Sequence, residues 1–221
     1  MQKIIYLMKA ALYECMPPNV IKIIEHSTAF KLAVNLAHDD LIAYSKKDPS
    51  SLQNIDDIAD TSSSFSAVLH YRLAHAISQD SISLDKKLAD RYAALVSQRG
   101  KLKSGADIHY RANIGPRFVL DHGYNTVIGE TSTIGSDSYI LGSVVLGARG
   151  ISGNPTGIRH PSIGNYVQVG AFSSILGNIH IGDHSFIGPN CTVVESIAPY
   201  SRVINQDYTA QIVETHSVEM A

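Results

Sequence analysis

A chain of 221 residues has room for one domain of about a hundred residues and a second unit beside it. The formal net charge at pH 7 is −2 and the basic residues form no run, so neither nucleic acid nor a membrane surface is expected as a partner. Cys15 and Cys191 lie too far apart to define a disulfide framework. The apolar run at the start of the chain contains Lys3 and Lys9 and is too short for a secretion signal or a membrane span, so we expect a cytoplasmic protein.

The first hundred residues carry apolar side chains three and four positions apart, which is the spacing of amphipathic helices. The clearest helical segments are 65–77 and 84–96. Asp48-Pro49 matches a helix start, because aspartate caps free backbone amides and proline fits the first helical position. The polar, serine-rich stretch 56–64 is typical of a loop.

A six-residue repeat fills the second half of the chain. Its thirteen anchors are all aliphatic: Ile108, Ile114, Leu120, Ile128, Ile134, Ile140, Leu146, Ile163, Val169, Ile175, Ile181, Ile187 and Val193. Most have a small or modest side chain two positions earlier: Ala106, Ala112, Thr126, Ser132, Ser138, Val144, Val167, Ser173, Ser185 and Cys191. Glycine directly follows many anchors, which suits a corner where the backbone bends tightly or takes a positive φ. The repeat predicts a parallel β-helix with three short strands per coil and a narrow aliphatic core, since an ordinary sandwich rarely gives glycine corners at this period.

These patterns predict an α+β fold with three parts. An N-terminal α-helical domain covers residues 1–100, a left-handed parallel β-helix covers 101–204, and a tail covers 205–221. Gly100 and Gly105 mark the junction before the first coil.

The repeat is interrupted twice, and each interruption is rich in reactive side chains. The step from Leu120 to Ile128 is eight residues long, and the step from Leu146 to Ile163 is seventeen. Because a solenoid accepts insertions only at its corners, where they project and can bind ligands, we expect the functional site there.

His122 lies in the first insertion, and Asp107 precedes it by fifteen residues, close to the eighteen of one coil. A carboxylate bonded to an imidazole fixes its tautomer and makes it a competent base near neutral pH. From the residues alone, a surface histidine is the simpler interpretation. His180 and His184 are four apart but occupy different positions around one corner, so we interpret them as solvent-facing turn residues and predict no metal site.

Several runs match a more specific pattern. They are residues 104–109, 114–123, 127–131 and 159–164, with Lys47-Asp48-Pro49 and residues 71–75 upstream in the same order. Together they cover about residues 48–203 and resemble the serine O-acetyltransferases of the hexapeptide acyltransferase superfamily.

The resemblance implies that His122 is the general base and Asp107 its orienting carboxylate. It places the amino group of the acceptor on Asp48 and Asp121. The acceptor carboxylate falls on Arg159, with His160 lining the pocket.

The resemblance also implies that the acyl donor is acetyl-CoA and that no metal is needed. Contacts to the donor fall on Gly147, Ala148, Gly150 and Ala171. It implies a role in cysteine biosynthesis and a homotrimer with each active site between two prisms. The short helical domain favours a plain trimer over a dimer of trimers, and the C-terminal residues Met220-Ala221 depart from the family's terminal isoleucine, so no complex with cysteine synthase is expected.

Two other functions remain open. The altered loop between Arg149 and Ile158 admits an acyltransferase acting on homoserine or another hydroxy amino acid. A β-helix that has lost catalysis and serves as an interaction scaffold is the alternative from a different class.

Overall fold

The computed structural model describes residues 1–47, 54–79 and 83–205. Six helices lie within the first part of these ranges: α1 (Gln2–Cys15), α2 (Pro18–Glu25), α3 (Thr28–Lys47), α4 (Ile55–Thr61), α5 (Ser63–Ile77) and α6 (Lys86–Ser104). Among these described helices, none combines the length and the apolar character needed to cross a lipid bilayer. The helix start predicted at Asp48 and nearly all of the predicted tail lie outside the described residues.

The stretch 56–64 is mostly helical, so the expectation of a loop is wrong. α4 follows Asn54, whose side-chain oxygen accepts a hydrogen bond from the backbone amide of Asp56 at 3.1 Å. Ser62 caps α5 in the same way. Polar residues that are typical of a loop serve here as the N-caps of two successive helices and as the first-turn carboxylates of α4.

α6 extends the helix predicted over 84–96 and passes through Gly100. A Cβ atom at Gly100 would lie 2.6 Å from the Cβ of His70 on α5, so glycine lets the two helices pack closely instead of ending one of them. The helix ends at Gly105, which takes a left-handed conformation with φ 73°. α6 therefore crosses the boundary predicted at residue 100, and the division into domains stays a prediction.

Short strands follow the helices. They are β1 (Asp107–Ile108), β2 (Asn113–Ile114), β3 (Val119–Asp121), β4 (Val127–Ile128), β5 (Thr133–Ile134), β6 (Tyr139–Leu141), β7 (Val145–Gly147), β8 (Ser162–Ile163), β9 (Gln168–Val169), β10 (Ser174–Leu176), β11 (His180–Ile181), β12 (Phe186–Ile187), β13 (Thr192–Val193) and β14 (Arg202–Val203). The chain visits three parallel sheets in turn, ordered β1-β4-β7-β10-β13, β2-β5-β8-β11 and β3-β6-β9-β12-β14. This is a parallel β-solenoid behind a helical region, and the predicted fold class is confirmed.

The repeat pattern sets the register of the coils. Ile108 pairs with Ile128, which pairs in turn with Leu146, and the other two sheets stack their anchors in the same way. All thirteen anchors and all ten residues of the small register are at most 5% exposed. The predicted core is therefore confirmed, including the interpretation of Cys191 as a packing residue.

The glycines that follow anchors are needed for close packing between coils. A Cβ at Gly135 would lie 2.6 Å from the backbone carbon of Gly164 on the next coil. Positive φ angles occur two positions later, at Asp137 (61°) and Tyr166 (56°). The positive φ considered for the glycines that follow anchors is therefore not what requires them, and the close approach of the next coil's backbone is.

A buried ion pair joins the helices to the first coil. Arg72 on α5 donates from Nε to Asp40 on α3 at 2.8 Å, and both side chains are at most 2% exposed. The same guanidinium donates to the backbone carbonyls of Ile114 and Gly115, while the Asp40 carboxylate accepts from the amide of Phe118 at 2.8 Å. Each charge is therefore hydrogen-bonded to the solenoid backbone as well as to its partner, as a buried charge requires.

We expect Asp40→Ala to lower the free energy of unfolding by about 3–5 kcal/mol, because it leaves the Arg72 guanidinium buried without its counter-ion. Asp60→Ala is the matched control, since Asp60 pairs with Lys3 at 2.6 Å on the surface and exposed pairs contribute little to stability. Urea denaturation of both variants in the same assembly state measures the difference. Equal losses would contradict a special role for the buried pair.

Candidate active site

The turn that follows β3 holds His122 in a left-handed conformation with φ 49°. Two neighbours fix its backbone. A Cβ at Gly142 on the next coil would lie only 1.8 Å from the His122 carbonyl oxygen, and Ser64 on α5 accepts a hydrogen bond from the Gly123 amide at 2.9 Å. The His122 side chain is 87% exposed. A rigid backbone thus presents a solvent-accessible imidazole, as a base that meets a diffusing substrate requires.

The carboxylate of Asp121 lies beside this imidazole. Its Oδ1 is 3.8 Å from His122 Nε2, and its side chain is only 15% exposed. Tyr44 on α3 donates to Oδ1 at 3.2 Å, and Tyr139 on β6 donates to Oδ2 at 2.5 Å. We call Tyr44, Asp121, His122 and Tyr139 the first cluster.

Asp107, the predicted orienting carboxylate, begins β1 and pairs in register with Val127, just after the His122 turn. It therefore lies on the same edge of the prism as His122. Its Oδ2 accepts a hydrogen bond from Lys101 on α6 at 2.6 Å, whereas the described carboxylate that lies within 4 Å of the His122 ring is that of Asp121. Because catalytic hydrogen bonds often form only in the substrate complex, the role of Asp107 stays a prediction.

Asp48, the other predicted anion for the acceptor amine, lies outside the described residues. α3 ends at Lys47, immediately before it. The Lys47 ammonium lies 5.3 Å from the centre of the Tyr139 ring and donates to the carbonyl of Asp137 at 3.3 Å, and burial lowers the pKa of this lysine. The chain therefore leaves α3 next to the first cluster.

A second cluster forms where the long excursion returns to the solenoid, and it consists of Glu130, Thr131, Arg159 and His160. The Thr131 hydroxyl oxygen accepts from the backbone amides of Arg159 at 3.0 Å and His160 at 3.1 Å. The Thr131 amide donates to His160 Nδ1 at 3.1 Å, so in the neutral ring Nε2 carries the proton. Burial, followed by the charge of Arg159, lowers the pKa of His160.

Glu130 ties Arg159 to the helical region. It accepts from Arg159 Nη2 at 2.5 Å and from Arg111 Nη1 at 2.9 Å, and Arg111 also bonds Asp90 on α6 at 2.9 Å. These bonds, that of Arg159 first, lower the pKa of Glu130 to about 2. Glu130 is therefore ionised at any ordinary pH and holds Arg159 in one orientation.

Four residues of the two clusters have no role among the sequence-based predictions: Glu130, Thr131, Tyr44 and Tyr139. A signal for the first two was present, because Ile134 and Ile163 are stacked anchors 29 residues apart. The same offset places residue 130 beside 159 and residue 131 beside 160. No comparable signal points to the tyrosines, since they reach Asp121 through long side chains from different elements.

The predicted donor contacts divide between two corners. Gly147 ends β7 and Ala148 is partly exposed, after which residues 149–158 are all exposed. The carbonyl of Gly150 accepts from Asn154 at 2.9 Å within this excursion. Ala171 follows β9, at the corner that carries His122. The first cluster and Ala171 thus share one corner, while Gly147, Gly150 and the second cluster share another.

His180 and His184 are separated in the structure. His184 is stacked between Tyr166 at 4.7 Å and Tyr200 at 4.9 Å, with the rings nearly parallel. His180 is exposed on β11. Among the residues that the structure describes, no group of three or more potential ligands is arranged around a common metal position.

Comparison with known proteins gives consistent matches. The family model described as "Bacterial transferase hexapeptide (six repeats)" matches residues 160–194. A serine acetyltransferase of Staphylococcus epidermidis is 36% identical over 168 residues, which are 75% of this chain and 73% of that protein. The solved structure of a serine acetyltransferase of Neisseria gonorrhoeae in complex with serine is 27% identical, with 91% of this chain and 80% of that chain covered and a TM-score of 0.74. Isoform 3 of Entamoeba histolytica, in complex with cysteine, is 26% identical, with 96% and 72% covered and a TM-score of 0.74.

The stacked hexapeptide coils and the family match define a hexapeptide-repeat transferase. The sequence identity with the Staphylococcus epidermidis enzyme, and the share of both proteins that it covers, define the family more narrowly. The chain belongs to the serine acetyltransferase family, as its motifs predict.

We expect Gly129→Ala to displace the second cluster, because a Cβ there would lie 2.1 Å from Cδ2 of His160. Transferase activity should fall at least about tenfold, since small misplacements of positioning groups are costly. Gly157→Ala is the control in the adjoining loop, where an added Cβ meets nothing within 4 Å. Steady-state kinetics of both variants test this, and equal activities would show that the position of His160 does not matter.

Proposed function

We propose that the protein transfers the acetyl group of acetyl-CoA to the hydroxyl of L-serine. The single observation that carries this proposal is the fixed turn in which an exposed imidazole, His122, stands beside a buried, hydrogen-bonded carboxylate, Asp121, in a chain of this family. The serine complex of the Neisseria gonorrhoeae relative supports serine as the acceptor.

The proposed reaction is a direct transfer. His122 removes the proton of the acceptor hydroxyl while that oxygen attacks the thioester carbonyl. The carbon–sulfur bond then breaks, and the imidazolium returns its proton to the departing CoA thiolate. Positioned base catalysis increases the rate of such a step about a hundred- to ten-thousandfold. Asp107 would orient the His122 ring after its hydrogen bond with Lys101 has broken. The proposed steps need no metal.

The acceptor is a zwitterion, and the two clusters offer groups for both of its ends. Asp121, together with Asp48, would hold the ammonium. Arg159 would hold the carboxylate with the donors that Glu130 leaves free, and His160 would line the pocket with its Nε2 proton.

The donor would lie along the corners that carry small residues. Backbone amides between Gly147 and Gly150 would stabilise the oxyanion, as preorganised amides do in acyl transfer. Ala148 and Ala171 would contact the pantetheine arm, where small side chains let the backbone approach.

Because the two clusters belong to different corners of one prism, we propose a homotrimer in which the first cluster of one subunit faces the second cluster of its neighbour. A plain trimer is proposed over a dimer of trimers. The cytoplasmic location and the absence of a cysteine synthase complex stay predictions.

The function is tested by following acetyl-CoA-dependent thiol release with L-serine, L-homoserine and other hydroxy compounds. We expect the highest kcat/KM with L-serine, and His122→Asn should lower kcat about a hundred- to ten-thousandfold. A higher kcat/KM with L-homoserine would identify homoserine as the acceptor, which the altered loop 149–158 allows. Preference for a sugar, or unchanged turnover in His122→Asn, would overturn it.

The shared site is tested by complementation. We expect His122→Asn and Arg159→Ala, each nearly inactive alone, to regain about a quarter of wild-type activity when equal amounts are refolded together, because random trimers then contain that share of intact sites. A mixture of His122→Asn with Asp121→Asn is the control and should regain none, since both changes damage the same cluster. Lack of recovery in the first mixture would place both clusters in one subunit's site.

A further inference from the structure

The two tyrosines of the first cluster occupy both oxygens of one carboxylate. Tyr44 comes from the helical region and Tyr139 from the solenoid, and their hydroxyls bond Asp121 at 3.2 Å and 2.5 Å. Tyr44 is 8% exposed. The carboxylate is thus clamped between the helical region and the solenoid.

The clamp leaves the charge of Asp121 in place. Both bonds come from neutral hydroxyls, and none of the described lysines or arginines forms an ion pair with this carboxylate. Glu130 in the second cluster is the opposite case, because its two oxygens are each bonded by an arginine. Two carboxylates of similar burial therefore differ in what they offer to a ligand.

The geometry also leaves room for a cation. An ionised carboxylate has about four acceptor positions, and the tyrosines use one on each oxygen of Asp121. The Tyr139 ring is itself held, with the Lys47 ammonium 5.3 Å from its centre. A partly buried anion whose orientation is fixed and whose charge is not cancelled attracts a small ammonium group strongly, because solvent screens it little.

We propose that Tyr44 and Tyr139 are positioning residues that hold Asp121 as the ammonium subsite, and that they set the preference for amino-bearing acceptors over hydroxy acids that lack an amino group. This inference rests on the proposed function and specifies it. Neither tyrosine takes part in the proton transfers from the acceptor hydroxyl to His122 and from His122 to the CoA thiolate.

The test compares two ligands that differ only in the ammonium group, L-serine and 3-hydroxypropanoate. In Tyr139→Phe we expect KM for L-serine to rise about tenfold, the effect of losing one hydrogen bond to a charged group, with little change in kcat. The inhibition constant of 3-hydroxypropanoate against L-serine should stay within about twofold. Tyr44→Phe should act in the same direction, and the double variant should lose more than either.

Tyr200→Phe is the matched control, because Tyr200 is 76% exposed and stacks on His184 at the far coils. An equal loss of binding for L-serine and 3-hydroxypropanoate would show a merely structural role and overturn the inference. An unchanged KM for L-serine in both single variants would overturn it as well. Wild-type protein that fails to acetylate serine contradicts the proposed function instead. If Tyr139→Phe does not fold, as circular dichroism would show, Tyr44→Phe carries the same comparison.

Discussion

The position of the helices on the solenoid depends on the buried pair of Arg72 and Asp40. Removing two charges from water costs several kcal/mol per ion unless both are fully hydrogen-bonded. Here the guanidinium bonds the carbonyls of Ile114 and Gly115 at the end of β2, and the carboxylate bonds the amide of Phe118 directly before β3. The bonds are directional and involve backbone groups of the solenoid, so they specify one orientation of α3 and α5, which apolar packing alone would not.

That orientation has consequences for the site, because the same two helices carry residues that touch the His122 turn. Asp40 and Tyr44 are one helical turn apart on α3, so the residue that anchors the helix and the residue that clamps Asp121 share a face. On α5, Ser64 lies two turns before Arg72 and holds the amide after His122. The helical region therefore supplies part of the wall of the candidate site.

Much of the solenoid follows from the sequence alone. The six-residue repeat dictates which side chains stack, and anchors one coil apart, such as Ile128 and Leu146, pair directly. The loop expected over 56–64 was wrong because capping residues and loop residues have the same composition, and only the backbone amides they bond tell them apart. The links to Glu130 were recoverable from anchor spacing. The two tyrosines that bond Asp121 were not recoverable from the sequence, because their contact depends on how the helical region packs against the solenoid. No local sequence pattern encodes that packing.

The charges of the two clusters complement each other. Lys86, Asp90, Arg111, Glu130 and Arg159 form a chain of alternating charges from α6 to the mouth of the excursion. Because this series of ion pairs begins and ends with a cation, it carries one net positive charge. Arg159, at the end of the series, brings that charge to the second cluster. Among the described residues the first cluster carries one net negative charge when His122 is neutral, which is the form that a base requires. Opposite charges on the two clusters, which the proposed trimer brings face to face, suit a zwitterionic acceptor. A ligand with either charge missing would leave one cluster desolvated without compensation.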